Sequence, residues 1–165
     1  MRPTRVLGAC AFAATLLALR LQADAVGATR RAVQEIADPR IREFVQRVNQ
    51  QRREAGCPPL VWSPRLAAVA QRHCEDMAAR GFFGHTNPDG ASPFDRLGDA
   101  WIEYSRAGEN VAAGYRTAES VFQDWLKSRR HRANLDDCAY THHGVGYFEG
   151  RWTHLFLTPS PRSGL

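Results

Sequence analysis

Lysine is nearly absent from this chain. Lys127 is the single lysine, and arginine supplies the rest of the 22 basic residues. The net charge is +5, and it falls to +3 without residues 1–25, which contain three arginines and one aspartate. Because this charge is small and the arginines are scattered along the chain, the sequence excludes a nucleic-acid-binding surface.

Long apolar runs are also missing after the first 25 residues, which excludes a membrane span in the remainder. Internal repeats and low-complexity tracts do not occur there either. The 140 residues that follow position 25 suit one globular domain with its own hydrophobic core.

The first 25 residues have the pattern of a secretory signal peptide. Arg2 and Arg5 precede an apolar run over 6–19, which is too short to span a bilayer comfortably. Small residues in Ala23-Asp24-Ala25 predict cleavage after Ala25. Lipidation at Cys10 and an uncleaved anchor are the alternatives. The expected location is therefore secreted or periplasmic.

Three cysteines follow the predicted signal peptide, and an oxidising compartment allows one disulfide among them. Cys74 falls on a predicted helical face with Leu66 and Ala70, which is typical of a small core residue. Cys57 and Cys138 lie in loop-like sequence. This favours a Cys57–Cys138 bridge, and a bridge that uses Cys74 is the alternative.

Apolar spacing predicts three helices. The first covers about 41–55 and ends at Gly56. The second starts after the N-cap Ser63 and closes near Gly81, and the third starts after the N-cap Thr117.

Strand signals come late in the chain. Alternating segments around Glu149-Gly150 predict a β-hairpin, with His154 on a sheet face. His142-His143 is interpreted as a loop, and Asn87-Pro88-Asp89-Gly90 as a turn. Helices followed by strands favour an α+β layered domain over a parallel doubly wound sheet.

Three segments contain candidate site residues. His85 follows the second helix, Glu109 and Asn110 lie in a glycine-flanked segment, and His131 follows the third helix. Taken singly, each has a simple interpretation, since a loop histidine is usually a satisfied surface group and such a glutamate usually caps a loop. We expect the Asn110 amide to satisfy backbone groups nearby.

Taken together, the segments carry a more specific pattern. Gly-Glu-Asn is followed by Trp-x-x-Ser-x-x-His-Arg-x-Asn from Trp125 and then by Gly144-Val145-Gly146. This order resembles the bacterial branch of the CAP superfamily, which comprises cysteine-rich secretory, antigen 5 and pathogenesis-related proteins and is also called the SCP domain. The resemblance covers about 41–157. It divides the chain into a signal peptide (1–25), a linker (26–40), a CAP domain (41–158) and a tail (159–165).

The resemblance implies an α-β-α sandwich with a surface cleft that carries two histidines and two acidic residues. The matching histidines are His85 and His131, and the matching first acid is Glu109. Where animal and plant members have a second acid, this chain has Ser128. Glu119 is a weak substitute, because its position at the start of the third helix favours the helix dipole instead.

Two neutral imidazoles and a carboxylate can form an open site for zinc or another divalent cation. The expected metal ligands are His85, Glu109 and His131. A complete catalytic set is not visible, since Glu109 cannot easily be both ligand and base and a Ser128–His131 pair has no evident orienting acid. The sequence therefore leaves enzymatic activity open.

The alternative is a module that binds a lipid, a sterol or another small apolar ligand, or an extracellular protein. An aromatic segment supports it, although packing in the core or in loops is the simpler interpretation. Its members are Phe82, Phe83, Phe94, Trp101 and Tyr104. Exposed aromatic side chains beside an elongated pocket would favour this alternative. A monomer is expected in either case.

Overall fold

The structure is a computed structural model that describes residues 35–161. The predicted signal peptide, its lipidation and anchor alternatives, and most of the predicted linker and tail lie outside these residues. Within 35–161, every helix is too short or too polar to cross a membrane.

Five helices and four strands make up the described part of the chain, which confirms the α+β class. Their bounds in chain order are α1 (Pro39–Glu54), β1 (Val61–Trp62), α2 (Pro64–Ala79), α3 (Pro93–Asp99), β2 (Tyr104–Ala113), α4 (Ala118–Lys127), α5 (Arg129–Leu135), β3 (His142–Phe148) and β4 (Arg151–Pro159).

Side-chain caps fix where the helices begin. Ser63 accepts a hydrogen bond from the Leu66 amide at the start of α2, and Thr117 accepts one from the Ser120 amide at the start of α4. Both predicted N-caps are confirmed. The first helix ends at Glu54, and Gly56 just beyond it has a φ of 79°, a conformation that glycine adopts without strain.

The four strands form one sheet in the order β1-β3-β4-β2. The β1–β3 pair is parallel, and the β3–β4 and β4–β2 pairs are antiparallel. Glu149 and Gly150 both have positive φ angles (46° and 79°), as a tight hairpin turn requires, so the predicted hairpin is confirmed. Strand β2 lies at the outer edge and contains the Gly-Glu-Asn segment, which the sequence did not predict to be a strand.

Helices cover both faces of the sheet. On one face, Gly144 and Gly146 let α2 approach β3, since a Cβ at these positions would lie 2.2 Å from the Ala67 nitrogen and 2.4 Å from the Gln71 nitrogen. On the other face, the Phe44 ring of α1 meets rings of α4 and β4: Phe122, Trp125, Trp152 and His154. The architecture is the α-β-α sandwich that the resemblance implies.

A disulfide joins Cys57 to Cys138, with 4.9 Å between the Cα atoms, which confirms the favoured pairing. Cys74 is a free, buried thiol in α2, as expected. Beside the disulfide, the fully buried Arg52 donates hydrogen bonds to backbone carbonyls of three chain segments. The acceptors are the carbonyls of Pro58, Leu135, Asp137 and Tyr140. The disulfide and Arg52 together fasten the end of α1 to the chain around α5 and β3.

The predicted loop at His142-His143 is wrong, because both residues begin strand β3. Alternation along that strand turns the His143 imidazole inward, where its Nδ1 lies 3.1 Å from Nε2 of His154 in β4. Both rings are fully buried. Burial lowers the pKa of His143 to about 3, and it also holds the pKa of His154 well below its usual value. Both imidazoles are therefore neutral at physiological pH.

Candidate functional site

His85, Glu109 and Arg96 form a connected chain of polar contacts. Nδ1 of His85 lies 2.8 Å from Oε1 of Glu109, and the Arg96 guanidinium donates to Oε2 at 2.7 Å. A carboxylate only accepts hydrogen bonds, so Nδ1 of His85 carries the hydrogen. In the neutral form of the ring, the lone pair is therefore on Nε2. The Glu109 side chain is 2% exposed and that of His85 is 52% exposed, which leaves Nε2 accessible from solvent.

Arg96 lies in α3 and was not predicted from the sequence. Besides Glu109, it donates to the carbonyls of His85 and Ala91 and so fixes the loop that presents His85. Helix α3 does have a sequence signal, since Ser92 and Asp95 form a reciprocal capping box around its first turn. That signal predicts the helix, but it does not show which acid Arg96 meets. The predicted turn from Asn87 to Gly90 precedes α3. It is confirmed, because the Gly90 amide donates to the Asn87 carbonyl at 2.9 Å.

Two asparagines hold His131 at the other side of β2. The Asn110 amide donates to the His131 carbonyl at 3.0 Å, and the Asn134 amide donates to Oδ1 of Asn110 at 2.8 Å. The expected backbone role of the Asn110 amide is thus present. Helix α5 is consequently tied to β2 next to Glu109.

The His131 ring packs near Trp125, with 5.9 Å between the ring centroids. Its Nδ1 is enclosed and has no hydrogen-bond partner within residues 35–161, so Nε2 is the nitrogen that a ligand can reach. Burial lowers the pKa of His131, the Asp124 carboxylate partly offsets this, and the nearby His85 lowers the pKa further.

The two histidines approach the edge strand from opposite sides. Glu109 and Asn110 are neighbours in β2, so their side chains point to opposite faces of the sheet. Glu109 contacts His85 on the face that α2 covers, and Asn110 holds the α5 segment on the other face. The structure places His85 in contact with Glu109 and ties the His131 carbonyl to Asn110, the residue next to Glu109.

Ser128 ends α4 and starts α5, and its hydroxyl makes no capping hydrogen bond. The substitute acid considered for this position, Glu119, instead forms an ion pair with Arg47 of α1. The Asp124 carboxylate partly offsets the lowering of the His131 pKa by burial. Asp124 lies one helical turn before Ser128 on the same side of α4. In the sequence, the four-residue spacing between Asp124 and Ser128 could have pointed to Asp124.

The charges at Glu109 decide its chemical role. Both of its oxygens accept hydrogen bonds, one from an imidazole and one from a guanidinium. The carboxylate therefore orients His85 and neutralises Arg96 in this arrangement. Over residues 35–161, no group of three or more His, Cys, Asp or Glu side chains is arranged to hold a metal ion.

The aromatic segment is more exposed than packing in the core would allow. Phe83, Phe94 and Trp101 are 59%, 50% and 87% exposed, so these three are not core residues, although the Phe94 ring still lies 6.2 Å from that of Tyr104. Phe82 is half-buried and contacts the His73 ring. Trp101 also has a φ of 54°, which is uncommon for a side chain of this size.

With this geometry in place, comparisons with known proteins identify the family. The chain matches the model of the cysteine-rich secretory protein family, CAP, over residues 45–155. The protein belongs to the CAP family.

Two curated relatives come from Bacillus subtilis (strain 168). The chain is 36% identical over 118 residues to "Uncharacterized protein YkwD", covering 70% of this chain and 46% of the relative. It is 33% identical over 116 residues to "Uncharacterized membrane protein YlbC", covering 70% of this chain and 34% of the relative. The chain thus spans less than half the length of either protein.

Solved structures show the same fold. An extracellular protein containing an SCP domain from Bacillus anthracis str. Ames superposes with a TM-score of 0.72 and 30% identity, covering 76% of this chain and 42% of that one. An outer surface protein from Borrelia burgdorferi superposes with a TM-score of 0.67 and 18% identity, covering 71% of this chain and 90% of that one. At that identity, the second likeness concerns the fold alone.

Proposed function

We propose that this CAP domain works outside the cytoplasm, secreted or periplasmic, and binds a divalent cation such as zinc in its cleft between His85 and His131. The observation that carries the proposal is the 2.8 Å contact between Glu109 and Nδ1 of His85. Metal-binding histidines in proteins commonly donate their second ring nitrogen to a carboxylate, which fixes the tautomer and raises the basicity of the free nitrogen.

Export is supported by three observations. The N-terminal sequence has the pattern of a signal peptide. The Cys57–Cys138 disulfide suits an oxidising compartment. In addition, the relative from Bacillus anthracis is described as extracellular.

The contacts of these side chains favour two protein ligands for the cation, instead of the three expected from the sequence. Nε2 of His85 and Nε2 of His131 are the available donors, whereas Glu109 is engaged by Arg96 and His85. Imidazole ligands suit zinc and similar ions, and water can complete the coordination. A bound cation would supply Lewis acidity. The roles of the chain itself are to orient His85 through Glu109 and to hold His131 through Asn110.

Calorimetric titration with zinc, on protein free of an affinity tag, tests this proposal. Wild type should bind at pH 7.5 and more weakly at pH 5.5, because protons compete for imidazoles whose ordinary pKa is about 6.5. His85→Ala and His131→Ala should each remove most of the affinity. His142→Ala is the matched control and should bind as wild type does. Absence of zinc uptake by wild type at pH 7.5, or undiminished binding by either alanine variant, would refute the shared site.

Glu109→Gln separates an orienting role from a ligand role. A glutamine oxygen still accepts from Nδ1 of His85, so the orienting role predicts a loss of roughly tenfold to a hundredfold in zinc affinity. Complete loss of binding, with unchanged thermal stability, would instead assign Glu109 as a direct ligand.

A second candidate is the recognition of a lipid surface, which the 87% exposure of Trp101 favours. Tryptophan is well suited to the interface between water and lipid. Phosphatidylcholine vesicles should then shift the tryptophan emission of wild type to shorter wavelength, and Trp101→Ser should abolish the shift. An unchanged wild-type spectrum would remove this candidate.

A further inference from the structure

His85, Glu109 and Arg96 form a closed triangle of hydrogen bonds. Nδ1 of His85 donates to Oε1 of Glu109 at 2.8 Å, and Nη2 of Arg96 donates to Oε2 of the same carboxylate at 2.7 Å. Nη1 of Arg96 completes the triangle, because it donates to the backbone carbonyl of His85 at 2.8 Å. Each residue therefore contacts the other two, and His85 is held at its imidazole and at its backbone.

Arg96 is the rigid corner of this triangle. Its two terminal nitrogens belong to one planar guanidinium, so the group that joins the His85 carbonyl to the Glu109 carboxylate cannot bend. Nη1 also donates to the Ala91 carbonyl at 3.1 Å, which fastens the far end of the loop between α2 and α3. The Arg96 side chain is 12% exposed and that of Glu109 is 2% exposed, so water competes little for these contacts.

The backbone of Arg96 is itself fixed by the core. Its amide donates to the Ser92 carbonyl at 3.1 Å within α3. The next residue, Leu97, is fully buried in a cluster with apolar residues of α2 and β4. The guanidinium therefore connects a helix that is anchored in the core to the half-exposed imidazole of His85.

Glu109 needs this support in order to orient His85. The terminal torsion of a glutamate side chain has a broad energy minimum, so a carboxylate that is bound at one oxygen can turn. Arg96 holds Oε2 and thereby directs Oε1 at Nδ1 of His85. Without Arg96, we expect the contact between Glu109 and His85 to form in only part of the molecules, so that the hydrogen is shared between both ring nitrogens.

We propose that Arg96 is a positioning residue of the cleft. It keeps His85 in the tautomer that leaves Nε2 free, and it does so through Glu109 and the loop backbone, without touching the ligand. The consequence for cation affinity rests on the proposed function, whereas the effect on the tautomer does not require a cation.

Long-range ¹H–¹⁵N nuclear magnetic resonance at pH 7.5 reads the tautomer in metal-free protein. Wild type should show His85 as a single tautomer with the hydrogen on Nδ1. Arg96→Met, which removes every donor, should show a mixture of tautomers. Arg96→Lys keeps the charge but has one nitrogen in place of the planar fork, so it should show a smaller share of the second tautomer. Arg80→Ala is the matched control, because Arg80 ties the same loop to α2 through Asp89, and it should keep the single tautomer.

Calorimetric zinc titration of the same variants gives a second measurement. Loss of partners that orient a metal-binding histidine typically costs tenfold to a hundredfold in affinity, so both Arg96 variants should bind more weakly, Arg96→Met the more so. A purely electrostatic role predicts the opposite, because removal of a positive charge near the cleft would favour a cation. Arg80→Ala should bind zinc as wild type does.

Thermal unfolding shows which variants are folded, and Arg96→Lys carries the test if Arg96→Met does not fold. The proposal is overturned if a folded Arg96 variant keeps the single tautomer, if it binds zinc as tightly as wild type or more tightly, or if Arg80→Ala gives the same mixture. Absence of zinc uptake by wild type would refute the cation site, and the tautomer measurement would still decide whether Arg96 positions His85.

Discussion

Two pairs of histidines show how one residue type acquires different roles in one domain. His143 and His154 lie on adjacent strands, fully buried and in contact with each other. His85 and His131 come from separate segments and lie beside the outer strand β2, which His85 contacts through Glu109 and His131 through Asn110. Among residues 35–161 the buried pair has no carboxylate partner and it is neutral, whereas His85 is half exposed and oriented by the Glu109 side chain. Burial makes the first pair part of the core, whereas His85 of the second pair keeps an accessible ring nitrogen and an oriented tautomer, which is why the proposed cation site uses that pair.

The largest expected difference between the pairs is in stability. His143→Ala should lower the free energy of unfolding by about 3 kcal/mol, because it leaves a cavity and removes the partner of Nε2 of His154. His85→Ala should cost about 1 kcal/mol or less, because the ring is half exposed. Urea denaturation at pH 7.5 measures both, with His142→Ala as the neighbouring control. Equal losses at His143 and His85 would contradict the distinction.

Acid should destabilise the protein through the buried pair. The folded-state pKa of His143 is about 3, so above pH 6.5 both states are neutral at this residue. Below pH 6.5 the unfolded chain binds a proton that the folded chain excludes, and stability falls until the pH reaches the folded pKa. His143 alone should contribute a loss of about 2 kcal/mol between pH 7.5 and 5, and His154 acts in the same direction.

Urea denaturation at pH 7.5, 6.5 and 5 checks this dependence. His143→Gln, which cannot titrate, should flatten the profile between pH 6.5 and 5 relative to wild type. A wild-type profile that stays flat over this range would show that the buried pair is protonated in the folded protein.

A smaller effect on stability concerns Asn110, which links the buried histidine pair to His131. Asn110 lies opposite His154 in the sheet register and holds the His131 carbonyl. Asn110→Ala should cost about 1 kcal/mol more than Glu109→Gln, because it removes the hydrogen bonds that Asn110 makes to the His131 carbonyl and to the Asn134 amide, whereas glutamine keeps an acceptor for His85. Thermal unfolding of both variants measures this difference. Equal losses would mean that Glu109 stabilises the fold as much as Asn110 does.

The smallest effect is spectroscopic. In a titration from pH 8 to 4.5 followed by imidazole resonances, the His143 and His154 signals should not move while the protein stays folded. The His131 signal should titrate with a midpoint below 6.5, since burial lowers its pKa. A midpoint above 6.5 would indicate that Asp124 outweighs burial.

Local chemistry explains which parts of the fold could be predicted. Ser63 and Thr117 cap helices by direct contact with amides three residues away, so a short window of sequence suffices. The Glu149-Gly150 turn is equally local. The Cys57–Cys138 pairing was predictable because the third cysteine, Cys74, had to lie on the core face of α2.

The rest depends on contacts that sequence spacing does not reveal. Strand β2 was missed because glycine and asparagine are poor strand formers, and its pairing with β4 overrides that preference. Arg96 meets Glu109 across 13 positions of sequence through a loop whose path depends on α3. The resemblance supplied His85, Glu109 and His131, but the competition of Arg96 for Glu109 is visible only in three dimensions.

The edge position of β2 has a thermodynamic consequence for any ligand of the cleft. His85 arrives from the α2 side and His131 from the α5 side, with the strand between them, so a site that needs both residues exists only in the folded domain. A cation that bridges the two therefore binds the native state alone. At a free concentration one hundred times its dissociation constant, such a ligand stabilises the domain by about 2.7 kcal/mol. Occupancy of the cleft by the proposed cation and stability of the fold are thus linked quantities, and a shift in melting temperature reports both.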